Sequence, residues 1–172
     1  ILDENGTAID IKPYERNDAT RLIEDFMLAA NETVAEDFYW QDLPFLYRVH
    51  ENPDPEKMKS LSIFINNFGY TLRRKNNEVT SKELQKLLAG IEGSAAEGII
   101  SRIALRSMKQ ARYDTSCIGH FGLAAKFYTH FTSPIRRYPD LQIHRIIKEN
   151  IKNGLYERRI EHYRAILDHV AV

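Results

Sequence analysis

Apolar residues recur at every fourth position from Leu22 through Phe26, Ala30, Val34 and Phe38, and Asn17 and Asp18 stand ahead of them as good helix caps. The spacing predicts a long helix ending near Trp40, with this stripe turned to the core. The opposite side carries Glu24, Leu28, Asn31 and Ala35, which is too small and apolar for open solvent. A carboxylate and an amide there imply a second neighbour for the helix. That neighbour is either a ligand or, for Glu24, only water or a structural arginine.

Elsewhere the punctuation is clear. Residues 3–6 (DENG) predict a turn, followed by a short strand through Ile9 and Ile11 to Pro13. Residues 44–51 alternate and predict a strand. Asp54, Pro55 and Glu56 open a helix that closes near Phe68 with Gly69 as its cap. Thr80 and Glu83 form a capping box for a short helix to Leu88 or Ala89. A further helix is expected from Ala95 to Tyr113, with an apolar arc of Ile99, Ile100, Ile103, Ala104 and Met108 and a basic arc of Arg102, Arg106 and Lys109, with Arg112 nearby. A strand near residues 126–131 precedes a tight irregular turn. Pro139 then starts a helix that Gly154 stops, and a last helix begins near Tyr156. Residues 73–80 (RRKNNEVT) are the expected mobile loop. The fold class is α+β, helix-rich with a few short strands.

Composition adds limits. The 172 residues are 43% hydrophobic and 28% charged, enough for a core. There is no long apolar run for a membrane span and no signal-peptide pattern. The single cysteine, Cys117, excludes an internal disulfide and fits a reducing cytoplasm. Net charge is zero, yet residues 15–56 hold eleven acidic and three basic side chains, whereas residues 101–145 hold eight basic and two acidic. A polyanion would be drawn to the second stretch; two oppositely charged solvated faces would look the same. The chain starts at Ile1 and stops inside a helical pattern, so a piece of a longer protein is expected.

The basic stretch contains FYTHFTSPIRRYPDLQIHR, residues 127–145. Arginine presents a planar fork of donors that matches phosphate oxygens. Two arginines directly after Thr-Ser-Pro sit on a restricted backbone, which lowers the entropy cost of aiming them. The helix N-terminus that follows adds free N–H groups. Phe127, Tyr128, Phe131 and Tyr138 either stack bases or pack. This reads as phosphate binding; the alternative is an arginine that braces the loop. No Walker loop, zinc spacing, defensible Ser-His-Asp set or paired-aspartate metal cluster is present.

Residues 118–145 (IGHFGLAAKFYTHFTSPIRRYPDLQIHR) closely resemble the signature of the ribonuclease II / ribonuclease R family in its RNB catalytic domain. Residues 15–38 (ERNDATRLIEDFMLAANETVAEDF) and 104–113 (ALRSMKQARY) resemble it too, in the same order. The wording is nearest the bacterial ribonuclease R branch, apart from Cys117. The resemblance covers essentially the whole chain and implies the C-terminal portion of an RNB catalytic domain, residues 1–172, without the flanking cold-shock and S1 domains. It implies a processive 3′-to-5′ exoribonuclease that releases nucleoside 5′-monophosphates from the 3′ end of single-stranded RNA. It further implies Mg2+ held by aspartates outside this portion, so that the portion alone is inactive. A cytoplasmic monomer with no membrane or DNA partner is expected. By resemblance Arg136 contacts the phosphate at the cleavage site and Glu24 contacts the 3′-terminal ribose. His120, Thr132, Ser133, Arg137 and Tyr138 match positions in or beside the RNA channel. A family member that binds RNA without cleaving it is the alternative.

Overall fold

The computed structural model describes residues 1–12, 16–74 and 78–171. Among the described residues there are six α-helices and one two-stranded sheet, an α+β, helix-rich arrangement. They run α1 (Asp18–Trp40), β1 (Tyr47–Val49), α2 (Pro55–Asn66), α3 (Ser81–Ile91), α4 (Glu97–Ser107), β2 (Arg112–Asp114), a 3-10 turn (Phe121–Leu123), α5 (Tyr138–Asn153) and α6 (Glu157–Val170).

α1 begins as its caps require. The Asn17 side chain accepts from the Thr20 amide at 3.0 Å, and the Thr20 hydroxyl oxygen accepts in turn from the Asn17 amide at 3.0 Å. The expected apolar stripe is corrected. Leu22 and Phe26 are 55% and 65% exposed, and the buried residues are Asn31, Ala35 and Phe38. Four residues overshoot one helical turn by ~40°, so a strict every-fourth pattern winds by ~160° between Leu22 and Phe38. The side that reaches the core carries Asn31 and Ala35 from the face first read as opposite, joined toward the C-terminal end by Val34 and Phe38 from the stripe.

Two apolar cores result. One gathers Ala35 and Phe38 from α1, Phe45 to Tyr47 and Val49 around β1, Phe127, Ile143 and Ile146 from α5, and Tyr163 and Leu167 from α6. The other gathers Met58, Leu61 and Ile65 from α2, Leu84, Leu87 and Ile91 from α3, Ile100 and Ala104 from α4, and Phe121. β1 runs between them. It pairs antiparallel with β2, Arg48 opposite Tyr113. The Arg48 amide donates to Tyr128 O at 3.0 Å, and His50 exchanges backbone bonds with Gly119 and Phe121.

Other expectations shift. Asp54 caps α2 as expected, but the helix ends at Asn66 and Gly69 (φ +80°) closes the turn beyond it. Thr80 accepts from the Glu83 amide at 3.3 Å, while the Glu83 carboxylate pairs with Lys86 instead of completing a box, and α3 runs on to Ile91. α4 stops at Ser107, because residues 112–114 pair with β1 and leave the helix; the guanidinium of Arg48 also lies 4.7 Å from the Tyr113 ring centre. Residues 126–131 form no regular strand; the Arg48 amide on Tyr128 O and the Thr129 hydroxyl on Leu46 O at 2.6 Å help to hold them. Near the start, Leu2 and Ala8 form an isolated bridge around the 3–6 turn, with no strand through Ile9 and Ile11. The strand's expected end at Pro13 lies outside the described residues, as do residues 75–77 of the expected mobile loop; Val79, in that loop, is buried.

α5 starts with Pro139 in its first turn and ends at Gly154, whose φ of +68° suits glycine. α6 folds back on α5 through Glu149, which accepts from Arg159 at 2.5 and 2.6 Å and from the Tyr163 hydroxyl at 2.6 Å. The acidic and basic stretches of the chain meet at Glu51, which takes Lys109 at 2.5 Å and Arg112 at 3.0 Å. Part of the basic arc expected on α4 is therefore spent inside the molecule.

Candidate functional site

The segment that drew attention in the sequence forms a short loop between the first core and α5. Phe127, Tyr128 and Thr129 are buried beside β1, while Ile135 reaches full solvent at the tip and Arg136 next to it is exposed. Ser133 holds the turn, since its carbonyl accepts from the Arg136 amide at 3.3 Å and the Arg137 amide at 3.1 Å. Asp140, in the first turn of α5, is completely buried. Its Oδ1 accepts from the Ser133 amide at 2.8 Å and from the Arg137 guanidinium at 2.7 Å.

The two adjacent arginines therefore have different surroundings. Arg137 turns inward onto Asp140, its side chain 20% exposed. Arg136 is exposed, and its guanidinium makes no hydrogen bond or ion pair among the described residues. Both earlier readings, the phosphate fork and the brace, have an arginine that fits. Arg137 supplies the brace, and Arg136 leaves five donors available.

α1 secures the other end of the loop. The Asn31 side chain accepts from the Phe131 amide at 2.9 Å and donates to the Tyr128 hydroxyl at 3.2 Å. His144 of α5 donates through Nε2 to Phe131 O at 2.9 Å and stacks on the Phe131 ring, centroids 4.3 Å apart. Glu24 lies on the same line of α1 as Asn31, two turns toward the N-terminus, or about 10 Å away. It is half-buried and accepts from the Arg16 guanidinium.

Behind the loop runs a chain of rings. Tyr113 OH meets His130 Nδ1 at 2.8 Å, His130 lies against Tyr128, and Tyr128 lies against His120. Burial, then the neighbouring Arg137, pushes His130 down to about 4. Burial, then His50, pushes His120 down to about 4. Burial raises the Tyr113 phenol, with the Arg48, Arg137 and Arg136 charges opposing it. At neutral pH both histidines are thus uncharged, and the positive charge near the loop belongs to Arg48, Arg136 and Arg137.

Thr132, Ser133, Arg136, Arg137 and Tyr138 are brought together in this one loop. Thr132 Oγ1 is buried without a partner among the described residues, and the Tyr138 hydroxyl accepts from the buried Gln142 one turn further along α5. His120 stands apart. Its Nδ1 accepts from the Leu123 amide at 3.2 Å and caps the 3-10 turn. Gly122 fits only as glycine there, since a Cβ would lie 2.9 Å from His50 Nδ1, which already accepts the Gly122 amide. Asn31 and Asp140 were not read as site residues from the sequence. For Asp140 the available signal was its place three residues after Arg137 at a helix start; for Asn31 it was an amide between apolar neighbours. Among the described residues no three His, Cys, Asp or Glu side chains gather to hold a metal ion.

Comparison with known proteins gives a consistent answer. A family model described as RNB domain matches residues 1–153. The chain is 47% identical to ribonuclease R of Thermotoga maritima over 99% of its own length and 24% of that protein's. It thus spans about a quarter of the length of that curated relative. The structure of Mycoplasma genitalium RNase R in complex with ribose methylated single-stranded RNA matches with a TM-score of 0.85 at 29% identity, over 99% of this chain and 27% of that one. Yeast Ssd1, described as a pseudonuclease, matches with a TM-score of 0.75 at 29% identity, over 91% of this chain and 20% of that one.

Proposed function

The chain belongs to the RNB domain family, and from that premise we propose that it is the C-terminal portion of the catalytic domain of a processive 3′-to-5′ exoribonuclease of the ribonuclease R type. The substrate is the 3′ end of single-stranded RNA and the products are nucleoside 5′-monophosphates. The observation that carries this reading is Arg136: exposed, unpaired among the described residues, and projecting from a loop held at Ser133 and Arg137 by a buried carboxylate.

In this reading Arg136 binds the phosphate being cleaved. A fixed guanidinium next to that phosphate stabilises the charge that grows on its oxygens as water attacks, and it needs no reorganisation at that moment. Glu24 accepts a hydroxyl of the terminal ribose, which requires exchanging Arg16 for the sugar. Thr132, Ser133 and Tyr138 line the channel beside the phosphate, Arg137 shapes the loop, and His120 supports the channel wall. The divalent metal, magnesium in our reading, is held by residues outside this chain, so the isolated 172-residue chain releases no nucleotides. The intact protein acts in the cytoplasm as a monomer, with no DNA or membrane partner.

The test uses the full-length protein with a 5′-labelled RNA and Mg2+. Stepwise shortening from the 3′ end with release of 5′-monophosphates is expected. A protein that binds this RNA but leaves it intact would overturn the nuclease reading. That outcome would establish the second reading, an RNA-binding family member without cleavage, which the similarity to the Ssd1 pseudonuclease favours. Nucleotide release by the isolated chain would overturn the assignment of the metal.

A further inference from the structure

We propose that Asp140 is a positioning residue whose task is to aim Arg136. The proposal rests on the reading of Arg136 as the phosphate contact, and it adds a residue that the resemblance does not mark.

The argument begins with cost. A completely buried carboxylate loses its hydration, and the attraction of one partner seldom more than offsets that loss. Asp140 has one guanidinium, one amide and the N-terminal turn of α5 to compensate it. A buried pair of this kind is weak evidence for stability, so geometry is the better place to look for its effect.

The geometry is specific. The two donors to Asp140 Oδ1 come from Ser133 and Arg137, three residues before Arg136 and one residue after it. The Ser133 carbonyl in turn accepts the amides of Arg136 and Arg137. The backbone that carries Arg136 is therefore closed on itself and fastened to a helix at both sides. Only the tip, Ile135 and Arg136, is left outside.

Charge points the same way. An unneutralised carboxylate under this loop would compete with a phosphate for Arg136. Arg137 satisfies it at 2.7 Å from within the loop, and Arg136 stays free. Without the carboxylate, Arg137 would be released as a second mobile cation beside the first. One leg of the fork is unused: Arg137 Nε and Asp140 Oδ2 are both buried without a partner among the described residues. The pair can therefore close to a bidentate contact when an anion on Arg136 tightens the loop.

The experiment uses the full-length enzyme, Asp140→Asn, Arg136→Ala and the double variant. Single-turnover release of the 3′-terminal nucleotide is measured together with RNA affinity. Asp140→Asn is expected to slow release by ~10²-fold, the scale of a misplaced group, with affinity nearly unchanged. In the Arg136→Ala background it should slow release further by no more than about twofold, since the two residues then act as one unit. Equal loss in both backgrounds, or a loss that follows affinity, would overturn the proposal. If Asp140→Asn does not fold, Asp140→Glu, which keeps the charge and moves it by one methylene, carries the same cycle. A second readout does not depend on turnover: hydrogen exchange of the peptide spanning residues 131–138 should quicken in the variant while peptides of α2 to α4 keep their rates. Unchanged exchange in that loop would overturn the proposal even if the intact protein cleaved no RNA, an outcome that would itself remove only the nuclease reading.

Discussion

The carboxylate of Glu24 accepts a hydrogen bond from the guanidinium of Arg16, eight residues upstream and just ahead of the helix that carries Glu24. Both side chains are about half exposed, so the pair adds little to stability. A weak, solvent-facing pair suits the role proposed for Glu24, in which the carboxylate exchanges its partner for a sugar hydroxyl. In the intact enzyme Glu24→Ala should reduce the preference for a terminal ribose over a deoxyribose by ~10- to 100-fold, the worth of one hydrogen bond to a charged group. Arg16→Ala should leave the preference in place. Cleavage of RNA is compared with that of chimeras ending in one deoxynucleotide. An unchanged ratio in Glu24→Ala would make Glu24 structural.

Arg136→Lys should slow the cleavage step by ~10²–10³-fold with little change in RNA affinity, because an ammonium does not reproduce a bidentate fork at the phosphate. In the proposed function RNA affinity is spread over many phosphates along a channel and hardly registers one of them. Single-turnover rates and dissociation constants separate the two quantities, and a parallel loss of both would make Arg136 a general anchor.

Arg137→Ala acts in a different way. It leaves the buried Asp140 carboxylate without its counter-charge, which costs ~3–5 kcal/mol of folding stability. Denaturant melts of the variant check this. A stability equal to wild type would mean that water reaches Asp140 and replaces the arginine.

Asn31→Ala removes both bonds between α1 and the motif. The Phe131 amide and the Tyr128 hydroxyl lose their partners, at roughly 1–3 kcal/mol for each group that stays unsatisfied. A thermal melt of the intact protein, with exchange at the Phe131 amide, measures the loss. Protection at Phe131 equal to wild type would show that another group takes over.

Acid should weaken the fold before the carboxylates titrate. His120 and His130 are held down to about 4 in the folded chain, against about 6.5 when unfolded. Between those values the unfolded chain binds more protons, so stability is fully present above about pH 6.5 and falls as pH drops toward 4. Urea midpoints from pH 7 to pH 4 should decline across this window, and a His120→Gln, His130→Gln double variant should flatten the decline. A wild-type curve already flat from pH 7 to 5 would contradict it.

Much of this was legible in the sequence wherever the cause is local. Asn17, Asp54, Thr80 and Gly154 mark helix ends through bonds or dihedrals that each residue largely determines for itself, and the structure puts ends there. What was misread depends on distant partners. Arg112 and Tyr113 look helical until Arg48, far back in the chain, offers a strand edge. The stripe on α1 reached the core only at Val34 and Phe38, because a fourfold spacing winds around the helix and only packing tells which part is covered. In the site, the loop and its exposed arginine were visible as a motif. The division of labour between Arg136 and Arg137 was not, since it depends on the burial of Asp140, and one sequence carries no burial for a single aspartate.

β1 and the residue after it are bonded to both cores, through Arg48 to Tyr128 in the motif segment and through His50 to Gly119 and to Phe121 of the second core. Heat thus finds no hinge between the arginine loop and its support. The loop's segment and β1 share one core with α1, α5 and α6, while α2, α3 and α4 have their own. On warming, the temperature at which turnover disappears should coincide with melting of the first core, and loosening among α2, α3 and α4 can come earlier without silencing the enzyme.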